Sequence, residues 1–115
     1  TLGEGFELLE KSEFDYDLEH VADSLSKSSV IRGWLLELAA NAFRKDPDLE
    51  KIKGVVGASK TTGWTIESAC ELGVPIPIIS TSRMMRLRSK QDDSFSAKVI
   101  ASLRDEVGGH KAQSK

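Results

Sequence analysis

The chain has 115 residues, of which 16 are Lys or Arg and 18 are Asp or Glu, so its formal net charge is −2. That length predicts one compact domain, and the near-neutral charge argues against a nucleic-acid-binding protein, which is typically basic. Hydrophobic residues make up 39% and charged residues 30% of the chain, a balance typical of globular proteins rather than disordered ones. No apolar run reaches the roughly 20 residues that a membrane span needs, so we expect no membrane partner.

Cys70 is the only cysteine, so an internal disulfide is excluded, and no group of Cys and His has metal-ligand spacing. We therefore expect no metal and a reducing, cytoplasmic location. The sequence starts at Thr1 and enters a run of helical spacing at once, without an initiator methionine or a secretory signal. This start favours a fragment of a longer chain.

Hydrophobic periodicity predicts an all-α fold, because no segment alternates as a strand would. The first predicted helix occupies residues 1–11. Asp15 or Asp17 caps a second, short helix. The third, residues 29–43, begins at a serine cap and is apolar around most of its circumference, which is typical of a central, buried helix.

The second half of the chain begins less regularly. Residues 48–63 are predicted to be mostly irregular and to include a loop at Ser59–Gly63. Thr65–Leu72 is predicted to be a helix that Thr65 caps and a Gly-then-Pro sequence ends. Two more helices are predicted at about 76–91 and 94–108, the last one capped by serine and ended by glycine.

Four basic residues, Arg83, Arg86, Arg88 and Lys90, lie on the predicted helix 76–91. At 100° per residue, Arg83, Arg86 and Lys90 share one side of this helix, while Arg88 points elsewhere. If this stripe is buried, it needs an anionic partner such as a phosphate. A solvated edge whose arginine stems lie on the core explains the same spacing, and the spacing alone favours that interpretation.

Two further features invite a function without establishing one. Arg104 and His110 lie on either side of a Gly-Gly turn, but the helix dipole explains the arginine and a polar tail explains the histidine. The hydroxyl-rich loop Ser59–Gly63 precedes a helix, where backbone N–H groups can bind an anion. That motif is short and has no Walker-type pattern, so residue patterns alone reach an all-α domain and no activity.

Seven short motifs follow one another in a specific order. They are Ser29-Val30-Ile31-Arg32-Gly33-Trp34-Leu35-Leu36-Glu37-Leu38, Gly63-Trp64-Thr65, Leu72-Gly73-Val74-Pro75-Ile76-Pro77, Met85-Arg86-Leu87-Arg88-Ser89, Asp93-Ser94-Phe95-Ser96-Ala97-Lys98, Leu103-Arg104-Asp105 and Gly108-Gly109-His110. This series covers nearly the whole chain and resembles the C-terminal domain of decarboxylating 6-phosphogluconate dehydrogenases, most of all their short-chain form.

The chain departs from the pattern of that family at three places. The loop before Trp64 is usually richer in glycine and has a basic residue beside the tryptophan, where this chain has Gly63. Lys60 stands about one residue out of register with the loop's phosphate-binding lysine. Leu25-Ser26-Lys27-Ser28 replaces a stretch that usually contains Trp and Asn.

The resemblance implies an NAD- or NADP-dependent oxidation at C3 of 6-phosphogluconate in the pentose phosphate pathway. Loss of carbon dioxide and protonation of the enediol then give ribulose 5-phosphate. The resemblance places the Rossmann domain that binds the cofactor, a lysine base and a glutamate acid upstream of Thr1. Residues 1–115 are then the helical C-terminal domain, which contributes to the substrate site and to a homodimer, holds no catalytic residue and is inactive alone.

The resemblance also implies which residues bind substrate. Arg86 matches the family's phosphate-binding arginine, and Lys60 is a candidate for the loop lysine. Arg104 and His110 match residues that the C-terminal segment donates to the neighbouring subunit's site. Guanidinium groups hold a phosphate dianion in a bidentate manner, and binding this remote group positions C3 for reaction.

Two alternatives stay open at this point. A relative that acts on another, unphosphorylated β-hydroxyacid would not need all of Arg86, Arg104 and His110. A non-enzymatic helical dimerisation module would leave the basic helix as a solvated face. Nucleic-acid binding is a further possibility that the net charge of −2 disfavours.

Overall fold

The computed structural model describes residues 1–108 and 111–115, and these residues form helices and no strand, which confirms the all-α prediction. Within the described residues the helices are α1 (Leu2–Lys11), α2 (Leu18–Ser28), α3 (Trp34–Lys45), α4 (Lys60–Leu72), α5 (Pro77–Arg88) and α6 (Phe95–Val107). The chain divides into two compact units, Thr1–Lys53 and Gly54–Lys115. No helix among the described residues is long and apolar enough to cross a membrane.

The first unit is built on the packing of α2 against α3. Of the two predicted capping residues, Asp17 caps α2, and its Oδ1 accepts a hydrogen bond from the His20 N–H at 3.2 Å. The buried cluster consists of Ala22, Ala40 and Phe43, with Phe6, Leu18 and Ala39 packed against it. The rings of Phe6 and Phe43 meet edge to face with centroids 5.0 Å apart, which attaches α1 to α3.

Two ion pairs lie on α2. The Arg44 Nε donates to the Glu19 Oε1 at 2.7 Å and joins α3 to α2. The Lys27 Nζ donates to the Asp23 Oδ2 at 2.8 Å, and this hydrogen bond lowers the pKa of the Asp23 carboxyl. Both pairs are solvent-accessible, so each contributes little to stability.

The third helix starts later than predicted. It begins at Trp34 after Gly33, and Val30 lies in a turn that precedes it. In that turn the Ser29 Oγ accepts a hydrogen bond from the Ile31 N–H at 3.2 Å. Serine hydroxyls form hydrogen bonds with nearby backbone groups in turns as readily as at helix starts. Here Ser29 makes its bond in a turn, so the helix does not begin at this serine.

Burial of α3 is one-sided, so the prediction of a helix buried around most of its circumference is wrong for this chain. Leu36, Ala40 and Phe43 are buried. Trp34 is 73% exposed and Leu35 is 68% exposed. The large apolar side chains of the opposite face therefore lie in solvent.

We expect Leu36→Ala to lower the free energy of unfolding by about 2–5 kcal/mol, because Leu36 is only 2% exposed and its loss leaves a cavity. Leu35→Ala makes the same change of residue type as Leu36→Ala, but at an exposed position of the same helix. It should lower the free energy of unfolding by only about 0.5 kcal/mol. Urea unfolding followed by circular dichroism, at a concentration where light scattering shows a monomer, measures both values. Equal losses in the two variants would contradict the core described above.

In the second unit, α4 starts at Lys60 with Ser59 as its N-terminal cap residue, so the predicted loop at Ser59–Gly63 is wrong. Thr65 does not cap the helix: its Oγ1 donates to the Thr61 carbonyl at 2.9 Å, within the helix. The glycine that suggested a loop costs a helix only about 1 kcal/mol, which packing can offset.

The remaining helix ends agree better with the predictions. α4 ends before Gly73, whose φ of 67° is the left-handed conformation that glycine adopts without strain. α5 ends at Arg88, so Lys90 of the predicted stripe lies beyond the helix. The Ser94 Oγ accepts a hydrogen bond from the Ala97 N–H at 3.3 Å and caps α6 as predicted.

Candidate functional site

The candidate site lies where the segment leading into α4 runs beside α5. Arg83, Arg86 and Ser89 recur every three residues on α5 and at its end, and all three are half-buried. The Arg83 Nη1 donates a hydrogen bond to the Ser59 carbonyl at 2.6 Å. The Ser89 Oγ accepts one from the Val56 N–H at 2.9 Å. These two bonds attach the segment to α5 on either side of Arg86.

Gly63 makes room for the Arg83 guanidinium. A Cβ built at Gly63 would lie 3.2 Å from the Arg83 Nη2 and 3.3 Å from its Cζ. Gly63 departs from the family pattern in the sequence, and the Arg83 guanidinium of α5 lies against it. The sequence pattern marked Arg83 only as part of the basic stripe and did not reveal this contact.

Arg86 lies between the two attachments. Its backbone carbonyl accepts a hydrogen bond from the Ser89 Oγ at 2.7 Å, which holds the end of α5 around it. The ion pairs found among the described residues leave Arg83, Arg86 and Arg104 without a carboxylate partner. A half-buried guanidinium of this kind suits an anionic ligand.

The start of α4 adds positive potential to the same region. Lys60 is the first residue of the helix and is exposed. Ser59 makes no side-chain hydrogen bond to the backbone of the first turn, and its Oγ lies 3.3 Å from the Thr62 Oγ1 instead. Neither α4 nor α5 has an acidic residue in its first turn. The first-turn N–H groups and Lys60 together favour a phosphate.

Arg104 occupies a different part of the second unit. It lies exposed in the last turn of α6 and lines an open cleft of about 410 Å³ together with Asp93, Lys98 and residues 111–113. Among the described helices of this unit, α6 packs against neither α4 nor α5. The structure of one chain therefore does not bring Arg104 beside Arg86. His110 lies outside the described residues, so its predicted role stays a prediction.

Comparisons with known proteins decide the family. The sequence model of the family described as "6-phosphogluconate dehydrogenase, C-terminal domain" matches residues 2–114. The chain belongs to the 6-phosphogluconate dehydrogenase family. The resemblance inferred from the ordered motifs is thereby confirmed.

Three relatives illustrate the range of similarity within the 6-phosphogluconate dehydrogenases. A protein of Bacillus subtilis (strain 168), named "Putative 6-phosphogluconate dehydrogenase YqeC", is 49% identical over 100% of this chain and 39% of its own length. A Haloferax volcanii protein named "6-phosphogluconate dehydrogenase, NAD(+)-dependent, decarboxylating" is 42% identical over 98% of this chain and 38% of its own length. A chloroplastic "6-phosphogluconate dehydrogenase, decarboxylating 2" of Spinacia oleracea is 31% identical over 79% of this chain and 19% of its own length. The chain thus spans about two fifths of the first two relatives.

The residues described here do not fit a nicotinamide cofactor. A dinucleotide is bound by a strand, a glycine-rich turn and the start of a helix, and residues 1–108 and 111–115 contain no strand. In the same residues, no group of three or more His, Cys, Asp or Glu side chains is placed to hold a metal ion.

Proposed function

We propose that the chain is the helical C-terminal domain of a decarboxylating 6-phosphogluconate dehydrogenase of the pentose phosphate pathway, and that it binds the phosphate end of 6-phosphogluconate. The observation that carries this proposal is the half-buried Arg86, which lies on α5 between the two residues that hold the segment leading into α4. A cationic site next to the N-terminus of a helix suits a phosphate better than it suits an uncharged part of a sugar acid.

In this proposal Arg86 forms a bidentate contact with the phosphate, and Lys60 adds a flexible point charge at the start of α4. The phosphate is remote from C3, where the oxidation takes place. Holding it fixes the orientation of C3, so binding energy from a non-reacting group serves the reaction. The lysine base, the glutamate acid and the cofactor domain of the enzyme belong, in this proposal, to sequence outside residues 1–115.

The cofactor of the whole enzyme is proposed to be NAD or NADP. The name of the Haloferax volcanii relative specifies NAD, which makes NAD the first cofactor to test. The proposed compartment is the cytoplasm, and the free, exposed thiol of Cys70 suits its reducing conditions.

The proposed assembly is a two-fold homodimer in which the C-terminal segment of each chain completes the partner's site. The exposed apolar face of α3, which includes Trp34 and Leu35, supports such an assembly, because surfaces of this kind mark interfaces. The second unit supports it independently, since α6 packs on neither α4 nor α5 among the described residues and leaves Arg104 free to serve another chain.

We expect residues 1–115 alone to show no turnover of 6-phosphogluconate with NAD or NADP, whereas the longer enzyme should reduce its cofactor and release ribulose 5-phosphate and carbon dioxide. The reason is that the described residues do not fit the cofactor and that the base is proposed to lie outside residues 1–115. Absorbance of the reduced nicotinamide and chromatography of the sugar product measure both results. Turnover by the isolated chain would contradict the proposal. An inactive longer enzyme with both cofactors would favour another β-hydroxyacid as substrate.

A further inference from the structure

We propose that Arg83 is a positioning residue of the phosphate site. Its hydrogen bond to the Ser59 carbonyl fixes the start of α4, and with it Lys60, relative to Arg86. This inference rests on the proposed function, because it concerns how the same site is held in shape for a phosphate.

The Arg83 side chain connects the two elements of the site directly. Its Nη1 lies 2.6 Å from the Ser59 carbonyl, a short bond from a charged donor, and charged donors make stronger hydrogen bonds than neutral ones. The guanidinium also lies against Gly63, one turn into α4, at a distance that a larger residue would disturb. Arg83 therefore contacts both Ser59, the cap residue of α4, and Gly63 in the first turn of that helix.

The segment before α4 has no regular secondary structure. Residues 54–59 belong to no helix or strand, so their path depends on their attachments. The bond from the Val56 N–H to the Ser89 Oγ fixes the segment near the end of α5, and the Arg83 bond fixes it one residue before Lys60. Arg86 lies on α5 between the two residues that make these bonds, so the Arg83 bond holds the residue before Lys60 against the helix that carries Arg86.

Arg83 acts differently from the proposed phosphate-binding residues. Its Nη1 is used by the Ser59 carbonyl and its guanidinium rests on Gly63, so its contribution passes through the position of α4. A positioning role of this kind predicts weaker binding of the phosphate group with unchanged chemistry. A residue that only stabilised the fold would affect every kinetic parameter with the melting temperature.

The test uses the longer enzyme and the variant Arg83→Met, which keeps the aliphatic stem and removes the donors. We expect the KM for 6-phosphogluconate to rise about tenfold, because small misplacements of positioning groups are costly. The kcat and the KM for the cofactor should stay within about twofold of wild type. Competitive inhibition by inorganic phosphate should weaken by the same factor as the KM rises.

Arg88→Met is the matched control, because the Arg88 Nη1 also donates to a carbonyl at 2.6 Å, that of Gln91, and this bond does not involve α4. Its kinetics should equal those of wild type. Arg83→Lys keeps one donor and should raise the KM only about two- to threefold, which supplies the test if the methionine variant does not fold.

The outcomes separate this inference from the proposed function. An inactive wild-type enzyme overturns the proposed function and this inference with it. An active wild type with Arg83→Met and Arg83→Lys both equal to Arg88→Met overturns only the positioning role. A fall in kcat, together with a lower melting temperature and unchanged inhibition by phosphate, also overturns it, since that result describes a structural residue.

Discussion

Arg86→Ala is expected to raise the KM for 6-phosphogluconate about 10–150-fold in the longer enzyme. A hydrogen bond to a charged group contributes about 1.5–3 kcal/mol. Loss of that free energy weakens substrate binding about 10–150-fold. Arg86 is half-buried on α5 between the two residues that hold the segment before α4. Steady-state kinetics with saturating cofactor measure the effect.

Arg88→Ala on the same helix serves as the control for Arg86→Ala, because Arg88 is exposed and donates to the Gln91 carbonyl. It should leave the KM unchanged. The melting temperature of Arg86→Ala should stay close to that of wild type, since the bonds that Arg83 and Ser89 make do not use the Arg86 side chain. A KM within about twofold of wild type would instead support the solvated-edge interpretation of the basic stripe.

The helices were predictable where a local signal decides their ends. Asp17 and Ser94 cap helices, and Gly73 ends one, as the sequence indicates. The predicted starts of α3 and α4 are wrong because both rest on a hydroxyl side chain taken as a helix cap. The hydroxyls of Ser29 and Thr65 instead make hydrogen bonds to other nearby backbone groups, and the sequence does not reveal which backbone group a hydroxyl will bind. The sequence overestimates the burial of α3, because an apolar helix face does not reveal whether it packs against the same chain or against another one.

The candidate site was predictable only in part, and for a different reason. The resemblance assigns Arg86 to phosphate binding, and the structure places it on α5 between the two residues that hold the segment before α4. The sequence does not predict the contact of Arg83, because its partner is the backbone carbonyl of Ser59. Every residue has such a carbonyl, so no residue type indicates which one is used. The one signal in the sequence is Gly63, which departs from the family pattern. The structure explains this glycine, because the Arg83 guanidinium lies against it.

Mixing an Arg86→Ala enzyme with an Arg104→Ala enzyme is expected to restore activity that neither has alone. Arg104→Ala should raise the KM as Arg86→Ala does, because both are proposed to contact the same phosphate. If the two arginines come from different chains, a heterodimer has one doubly altered site and one intact site. Random exchange of subunits makes half of the dimers heterodimers, so about a quarter of the wild-type activity should return. Activity at low substrate concentration, measured after the subunits have re-equilibrated, tests this.

A mixture of Arg104→Ala and His110→Ala enzymes is the matched control. Both changes lie in the C-terminal segment, so each site of the heterodimer receives one altered segment and no intact site forms. The activity of this mixture should stay at the average of the two variants. The packing of α6, which contacts neither α4 nor α5 among the described residues, is the reason to expect a difference between the mixtures. If the first mixture also stays at the average although the subunits have exchanged, the segment acts within its own chain or the two arginines do not share a site.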